Sequence, residues 1–481
     1  MGRGGGTRVG IIVATLLLTG LVQLPAPGQE AKAKRVVLSA REAVERAVSR
    51  SPEIASSTYD AEAFLAKQMQ ADAARFPQLE AIGVLGPSPE ANRAPRRGEA
   101  EALNSINVKE GQVNSVFVRT DFLLIQPLYT FGLIGNLREA AARGVKAQQA
   151  AVDKTAADVA LRVREAYYGL LLAHELRAHL ADLYEQLLKA ADREETLVEG
   201  GFASEQDLFK LRTFEGELQK NLNLSQRLQD IAQEALRVWT GLDAQTAIEP
   251  ADARLTAEPQ SLPPLEEYMR DARAKRPEFT QLREGIRAKQ ALAEAERARA
   301  WPMVFFGIQG SAAYAENRDR IRNNAYVTDP LQHAYAGPVL GLKYNLDFGM
   351  TRGRVKEAEA EVDKLVALEQ YAHEGIPLQV QKAYGELVEA QKNVQALDRA
   401  NENARKWVVT SLANFDLGIG DTKDLADAVL AMAKSRADYL QAVFNSHMGL
   451  ARLDNAAGRD LDEIRGMIRG KRATDKLEGT R

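Results

Sequence analysis

The most constraining feature of the sequence is a helical run that extends from Leu133 to Glu199. No proline interrupts this run, because none occurs between Pro127 and Pro250. At a rise of about 1.5 Å per residue, a helix over this whole run would be about 100 Å long. Helices in compact domains are much shorter. The sequence therefore predicts a long helical rod.

Landmarks of the first half of the chain recur in the second half at a constant distance. Each later residue follows its earlier counterpart by 217 positions (418 − 201). The pairs are Phe131-Gly132 with Phe348-Gly349, Ala166-Tyr167 with Ala383-Tyr384, Gly201 with Gly418, Asp207-Leu208 with Asp424-Leu425, and Gly241 with Gly458. A constant distance over five landmarks indicates a tandem duplication, and the repeat then defines the structural unit.

Each repeat is predicted to contain a helix, two strands, a very long helix, a turn and a further helix. In the first repeat, residues 51–260, we expect a helix from Ser51-Pro52-Glu53, strands at 78–85 and 116–128, and helices at 133–199 and 205–239. In the second, residues 261–460, we expect a helix at 278–300, strands at 303–314 and 339–347, and helices at 350–414 and 421–456. Polar loops at 86–115 and 316–333 join the strands. The predicted fold class is mainly α with a small β part, a long coiled-coil helical barrel carrying four strands per chain.

The long helices have the spacing of coiled coils, with apolar residues in alternating steps of three and four. In the second repeat this seam is Val380, Ala383, Leu387, Ala390, Val394, Leu397, Asn401, Ala404, Val408 and Ser411. In the first repeat Val159, Val163, Ala166, Leu170 and Ala173 form one seam, and after a slip Leu180, Leu183, Leu187 and Ala190 form another. Pro377 lies inside the second long run and is expected to kink or break it.

The two ends of the chain have their own patterns. Residues 1–28 resemble a secretory signal, with Arg3 and Arg8 before a short apolar run, and an uncleaved anchor is the alternative. Residues 29–50 are expected to form an N-terminal periplasmic segment, in which Ser39 and Glu42 have the spacing of a capping box. Residues 461–481 are charged and are expected to form a flexible C-terminal tail.

Composition excludes several classes of function. A net charge of −3, without a basic block, does not suggest a nucleic-acid partner. The chain has no cysteine, which excludes disulfides, thiolate metal sites and a lipid-modified N-terminal cysteine. His174 and His179 are five apart rather than four, so they cannot share a metal on a helix. We therefore expect no cofactor, no metal site and no enzyme activity.

The last strand alternates between apolar and polar residues, as a strand between lipid and water would. Leu340, Leu342, Tyr344 and Leu346 share one face, and Gly341, Lys343, Asn345 and Asp347 share the other. Four strands cannot close a membrane barrel, because the smallest barrels need about eight. Either the strands form an ordinary soluble sheet, or several chains pool them. A symmetric trimer would supply 12 strands.

Several stretches then carry a resemblance to a known family. They are Ser51-Pro52-Glu53-Ile54, residues 126–132 with the sequence QPLYTFG, Ala166-Tyr167-Tyr168, residues 198–202 with the sequence VEGGF, and Leu417-Gly418-Ile419. With the duplicated plan, they make the sequence resemble the TolC-type outer-membrane efflux proteins over nearly the whole mature chain. The resemblance implies a homotrimer with a 12-stranded barrel in outer-membrane lipid and a helical tunnel across the periplasm. It also implies two partners, a periplasmic adaptor protein and an inner-membrane transporter of the RND or ABC type.

The resemblance assigns the two helix–helix turns to adaptor docking at the periplasmic entrance. Gly201 and Phe202 lie at the first turn, and Gly418 and Ile419 at the second. A plain turn would need the glycines but would not need exposed apolar residues beside them. Both interpretations, docking site and plain turn, predict helix ends at these positions.

The resemblance also assigns a gate to the start of the last long helix. Asp424 and Asp427 are three apart, hence on one helix face, and match a pair of aspartates that form acidic rings in a trimer. The alternative is an ordinary solvated face near a helix start. Asp207 matches another gate position, but its usual tyrosine partner is Phe415 here. The arginine of a second link is replaced by Gly420. The sequence therefore does not identify the contacts that hold the gate closed.

The primary hypothesis is therefore an outer-membrane exit duct of a tripartite efflux or type I secretion system, without a lipid anchor. The runner-up is a secreted periplasmic coiled-coil scaffold with no pore. Charges on both faces of the sheet would favour the scaffold, whereas charges on one face would favour the duct.

Overall fold

The computed structural model describes residues 35–92, 107–257, 261–316 and 329–468. The predicted signal peptide, and residues 469–481 of the predicted tail, lie outside these ranges. The helices are α1 (Ala40–Arg50), α2 (Pro52–Ala73), α3 (Leu133–Glu199), α4 (Glu205–Thr240), α5 (Leu265–Lys275), α6 (Pro277–Ala298), α7 (Met350–Asp416), α8 (Thr422–Ala457) and α9 (461–468). The strands are β1 (Arg35–Leu38), β2 (Gln78–Asn92), β3 (Asn107–Tyr129), β4 (Ala247–Pro250), β5 (Met303–Ala315) and β6 (His333–Lys343).

The duplication appears as equal helix lengths in the two halves. Helices α3 and α7 each have 67 residues, and α4 and α8 each have 36. The shorter helices α2 and α6 each have 22 residues, and α1 and α5 each have 11. The expected fold class, a mainly helical tandem repeat with a small sheet, is confirmed. Because α1 is the counterpart of α5, α1 belongs to the first repeat and not to the separate N-terminal segment predicted for residues 29–50.

Local sequence explains where the short helices begin. The side chain of Ser39 accepts a hydrogen bond from the backbone N–H of Glu42, and the Glu42 carboxylate accepts one from the N–H of Ser39. This capping box satisfies two N–H groups that have no partner inside helix α1. Proline occupies the first position of both α2 and α6, where its fixed φ suits a helix start.

Packing along the long helices follows the predicted seams. All nine seam residues of α3 are buried, and in α7 the three that are not buried are half-buried. Helix α7 continues through Pro377, so the helix does not break there. Proline removes only one backbone hydrogen bond, and the adjacent Ile376 and Val380 pack in a core with Tyr268 of α5. We infer that this packing keeps the helix continuous.

The four longer strands form one antiparallel sheet in the order β2-β3-β5-β6, while β1 and β4 form a separate parallel pair. Strands β2 and β3 extend into residues 86–115, so the connection between them is shorter than the predicted loop. Pro87 and Pro89 suggested a loop, but an edge strand tolerates proline, and the register shifts next to Pro89.

The last strand starts earlier and ends earlier than predicted, at His333–Lys343 rather than 339–347. Residues 344–347 connect the strand to α7, although they continue its alternating pattern. Asp347 explains the difference, because its carboxylate accepts hydrogen bonds from the backbone N–H groups of Gly349 and Thr351. Its side chain thus serves the helix start rather than a strand.

The prediction of a flexible tail from residue 461 is wrong for residues 461–468. These residues form α9, in which Leu461 and Ile464 are buried in a core with Val44 of α1 and Val163 of α3. Residues 461–481 are rich in charge as a whole, but the apolar residues of 461–468 recur at helical spacing, and Leu461 and Ile464 face the core.

Helices α3, α4, α7 and α8 also share a core at the end of the molecule away from the sheet. Within the described ranges, no helix combines the length and the apolar composition that crossing a membrane requires.

Candidate functional site

The two helix–helix turns lie at the end of the long helices, far from the sheet. Gly201 and Gly418 both have a positive φ, +77° and +74°, which explains the need for glycine at each turn. Phe202 is 85% exposed and Ile419 is 75% exposed. The structure thus places the four predicted docking residues at two matching tips, with an apolar side chain projecting from each.

Phe415 does not project from the tip. Its ring is only 8% exposed and lies in the core shared by α3, α4, α7 and α8, together with Leu187 and Leu425. A phenylalanine suits this position because a buried tyrosine hydroxyl would need a hydrogen-bond partner there. The end of α7 is therefore held by apolar packing.

Asp424 and Asp427 both lie on the exposed side of α8, as their spacing predicted. The Asp424 carboxylate is not free. It accepts hydrogen bonds from Nε1 of Trp407, at 3.1 Å, and from the hydroxyl of Ser411, both in α7. No hydrogen bond to the Asp427 carboxylate is found in the described part of the chain. The two aspartates therefore differ in role, since only Asp427 presents an unpaired carboxylate.

Asp207 lies in the first turn of α4 and accepts a hydrogen bond from Lys210 Nζ at 2.7 Å. This bond raises the pKa of Lys210, and the negative charge of Asp421 at the start of α8 raises it further. The side chain of Glu194 in α3 is buried nearby. Burial raises the pKa of Glu194, with a smaller contribution from the charge of Asp207. The region of the tips thus also contains Lys210 and Glu194, which the resemblance did not assign to the gate.

Gly420 has no room for a side chain. A Cβ atom at this position would lie 2.7 Å from the backbone nitrogen of Phe415, because the turn folds back over the end of α7. Two backbone N–H groups, of Ile419 and Gly420, donate to the carbonyl of Asn414 in this turn. An arginine at position 420 is thus incompatible with the observed turn.

Sequence reasoning missed an ion pair between the two tips. Arg193 of α3 donates from Nη1 to Oδ1 of Asp416, at 2.8 Å, and from Nη2 to the Asp416 carbonyl oxygen, also at 2.8 Å. Asp416 is the last residue of α7. No sequence signal singles out this pair, because Arg193 is followed by three glutamates before Gly201 and lies 223 positions from Asp416.

The register of the sheet sorts its side chains into two distinct faces over residues 78–87, 116–127, 303–315 and 333–343. One face, the polar face, holds every charged residue of these segments: Glu80, Arg119, Asp121 and Lys343, together with His333. The other, the apolar face, has only Thr120 and Gln126 as polar residues besides the hydroxyl of Tyr314. Its exposed members include Leu79, Leu85, Val118, Phe306, Leu340 and Leu342.

A serine, a histidine and an aspartate meet on the polar face, but they do not form a hydrolase triad. The hydroxyl of Ser311 lies 2.6 Å from the Asp121 carboxylate and 2.8 Å from Nε2 of His333. The other ring nitrogen, Nδ1, contacts the carbonyl of Asp329. In a triad the carboxylate orients the histidine. Here it accepts from the serine, and Ser311 is buried. Among the described residues, no group of three or more potential ligands could hold a metal ion.

Comparison with known proteins agrees with this architecture. The chain belongs to the outer membrane efflux protein family, whose profile matches residues 43–242 and 268–459. The resemblance stated from the sequence is thereby confirmed. No curated protein matches the chain in sequence.

Solved structures with a similar fold include three described as outer-membrane proteins or channels. CusC is 15% identical, with a TM-score of 0.69 over 88% of this chain and 92% of that chain. The outer membrane protein VceC of Vibrio cholerae is 14% identical, with a TM-score of 0.68 over 87% and 96%. The MtrE outer membrane channel of Neisseria gonorrhoeae, solved in its open state, is 15% identical, with a TM-score of 0.66 over 87% and 88%. At such identities the likeness shows the fold.

Proposed function

We propose that this chain is the outer-membrane exit duct of a tripartite efflux or type I secretion system. In this role it conducts substrate passively across the periplasm and the outer membrane. The observation that carries the proposal is the sheet. Over residues 78–87, 116–127, 303–315 and 333–343 it has one exposed apolar face and carries its charged residues on the other face. The family and the channel folds among its structural relatives support the same conclusion.

The apolar face is suited to lipid and the polar face to water. A charged side chain facing the middle of a bilayer costs about 2–4 kcal/mol in a barrel. The strict sorting of Glu80, Arg119, Asp121 and Lys343 to one face avoids this cost. An ordinary soluble sheet would have no reason to leave Leu79, Leu85 and Leu340 exposed together.

We propose that the working unit is a homotrimer. Strands β2 and β6 are the two edges of the sheet, and a membrane barrel cannot leave edges unpaired. Three copies would join β6 of one to β2 of the next and close a 12-stranded barrel. On the helices, Leu224, Leu228, Ile231 and Val238 of α4 are exposed at coiled-coil spacing, as a contact with a neighbouring copy would require.

The tips would then be the periplasmic entrance. Phe202 and Ile419 supply apolar anchors for the helical hairpin of a periplasmic adaptor, with Gly201 and Gly418 shaping the two turns. Asp427 and Asp424 would form acidic rings around the opening, while Asp207 and Phe415 hold the tip helices. An inner-membrane transporter of the RND or ABC type would supply the driving force. The protein has no cysteine that could carry a lipid anchor.

The scaffold hypothesis is the alternative from another class. It requires no membrane contact, so it gives no reason for the one-sided distribution of charge on the sheet. The observed sheet therefore favours the duct.

Two matched substitutions test the membrane assignment. Leu340→Lys places a charge on the apolar face, and Gln309→Lys places the same charge on the polar face. We expect the first to reduce the amount of protein extracted from outer membranes at least tenfold. The reason is that the lysine makes membrane insertion less favourable by about 2 kcal/mol per chain, and a trimer contains three such lysines. The second should be assembled normally and should conduct ions in a planar bilayer. Equal outer-membrane levels for both variants, or purified protein without any conductance, would contradict the duct.

A further inference from the structure

The contacts between the two tips answer the question that Phe415 and Gly420 leave open. Resting on the function proposed above, we propose that Arg193 and Asp416 form the latch that holds the entrance closed, one such latch in each chain. The ion pair joins the last two turns of the first long helix to the last residue of the second. It ties together two hairpins that would have to move apart for the entrance to widen.

Geometry favours this pair over an accidental surface contact. One guanidinium makes two hydrogen bonds to a single residue, from Nη1 to the carboxylate and from Nη2 to the carbonyl oxygen, both at 2.8 Å. That carbonyl belongs to the last residue of α7, where helix carbonyls have no partner within the helix. The cation also lies at the negative end of the α7 dipole. Arg193 thus acts as a C-terminal cap supplied by another helix.

Its position separates this pair from the other contacts near the tips. Lys210 and Asp207 are both in α4, and Asp424 is bound by Trp407 and Ser411 of its own hairpin. The pair Arg436–Glu175 does join the two hairpins, but it lies farther from the tips, between α8 and α3. Among the ion pairs of the described residues, Arg193–Asp416 is the one that joins the tips of both hairpins.

Two positions near the turn of the second hairpin cannot supply a lock of another kind. Phe415 has no hydroxyl to offer, and the turn at Gly420 excludes an arginine side chain. Closure must therefore depend on apolar packing around Phe415 and on polar contacts such as this one. Both partners are about half-exposed, at 49% and 57%. Such a pair is weak enough to be broken by a docking partner and is sensitive to salt.

The test is single-channel recording of the full-length trimer in planar bilayers. The variants are Arg193→Gln, Asp416→Asn and the combination of both. The control is Lys189→Gln. Lys189 lies one turn before Arg193, and its ion pair with Glu185 is wholly within α3, so the variant removes a positive charge without breaking a contact between hairpins. We expect Arg193→Gln to raise the ratio of open to closed time about fivefold at low salt. Asp416→Asn should raise it less, because the bond to the carbonyl remains.

Three further results would support the latch. The combined variant should open no more than Arg193→Gln alone, Lys189→Gln should match the wild type, and 1 M KCl should open the wild type but leave Arg193→Gln unchanged. If channels conduct but Arg193→Gln gates like the wild type, the latch is wrong while the duct stands. If neither the wild type nor any variant conducts, the proposed function fails and the latch with it.

Discussion

At the residue scale, the two aspartates of the proposed gate illustrate how identical side chains make different contacts. The Asp424 carboxylate accepts hydrogen bonds from Trp407 and Ser411, and these bonds join α8 to α7. Asp427 lies one turn farther along the helix and keeps its carboxylate exposed. The spacing of three predicted a shared face but contained no information on these partners.

This difference predicts separate effects of removing each charge. Asp427→Asn should reduce the preference of the channel for cations more than Asp424→Asn does, because an unpaired carboxylate interacts more strongly with passing ions. Reversal potentials in a KCl gradient measure this preference. Asp424→Asn should instead loosen the tip, seen as faster hydrogen exchange at the end of α7. Equal shifts in reversal potential for the two variants would show that both carboxylates face the opening.

At the element scale, polar groups buried between helices decide how firmly the rods are joined. Arg143 of α3 donates to Glu284 of α6 at 3.0 Å, with the carboxylate almost fully buried. Burial acts to raise the pKa of Glu284, but the hydrogen bond and charge of Arg143, with Arg287 and Lys146, bring the pKa below its usual value. In Glu194 of α3 burial has no such opponent, and the pKa is raised.

The same substitution at these two glutamates should therefore have opposite effects. Glu284→Gln should destabilise the protein at pH 7 by about 2 kcal/mol, and the difference should shrink as the pH falls through the native pKa of Glu284. Glu194→Gln should stabilise it at pH 7, because the neutral amide resembles the protonated acid that the folded state favours. That gain should vanish as the pH falls towards 4.5. Thermal unfolding of the detergent-solubilised protein from pH 3 to pH 7 measures both, and the same sign for both at pH 7 would contradict the assignment.

At the scale of the whole molecule, a single chain leaves two kinds of surface uncovered. The sheet has open edges at β2 and β6, and α4 carries an exposed apolar seam. Both are surfaces that a neighbouring copy would cover in a closed ring. In the proposed trimer, each chain would supply a third of the barrel and a third of the tube.

A charge placed in the seam of α4 tests this assembly. Ile231→Asp should weaken the trimer, because a carboxylate would be buried between helices of two copies without a partner. Asn223→Asp adds the same charge to an exposed position of the same helix and keeps the acceptor for Gln219. Size-exclusion chromatography with light scattering should show monomers for Ile231→Asp and trimers for Asn223→Asp. Trimers of equal stability for both variants would place the seam outside the interface.

Local patterns alone determined the helical plan of this protein, its duplication and the glycines at its tips, because periodicity, proline placement and positive φ depend on neighbours in sequence. The same patterns misplaced the ends of β2, β3 and β6 and made α9 look like a tail, because strand pairing and the burial of a short helix depend on distant partners. Only the tertiary structure decided that Arg193 meets Asp416 and that Glu80, Arg119, Asp121 and Lys343 share one face of the sheet. Those facts follow from helix packing and strand register, which bring together residues hundreds of positions apart.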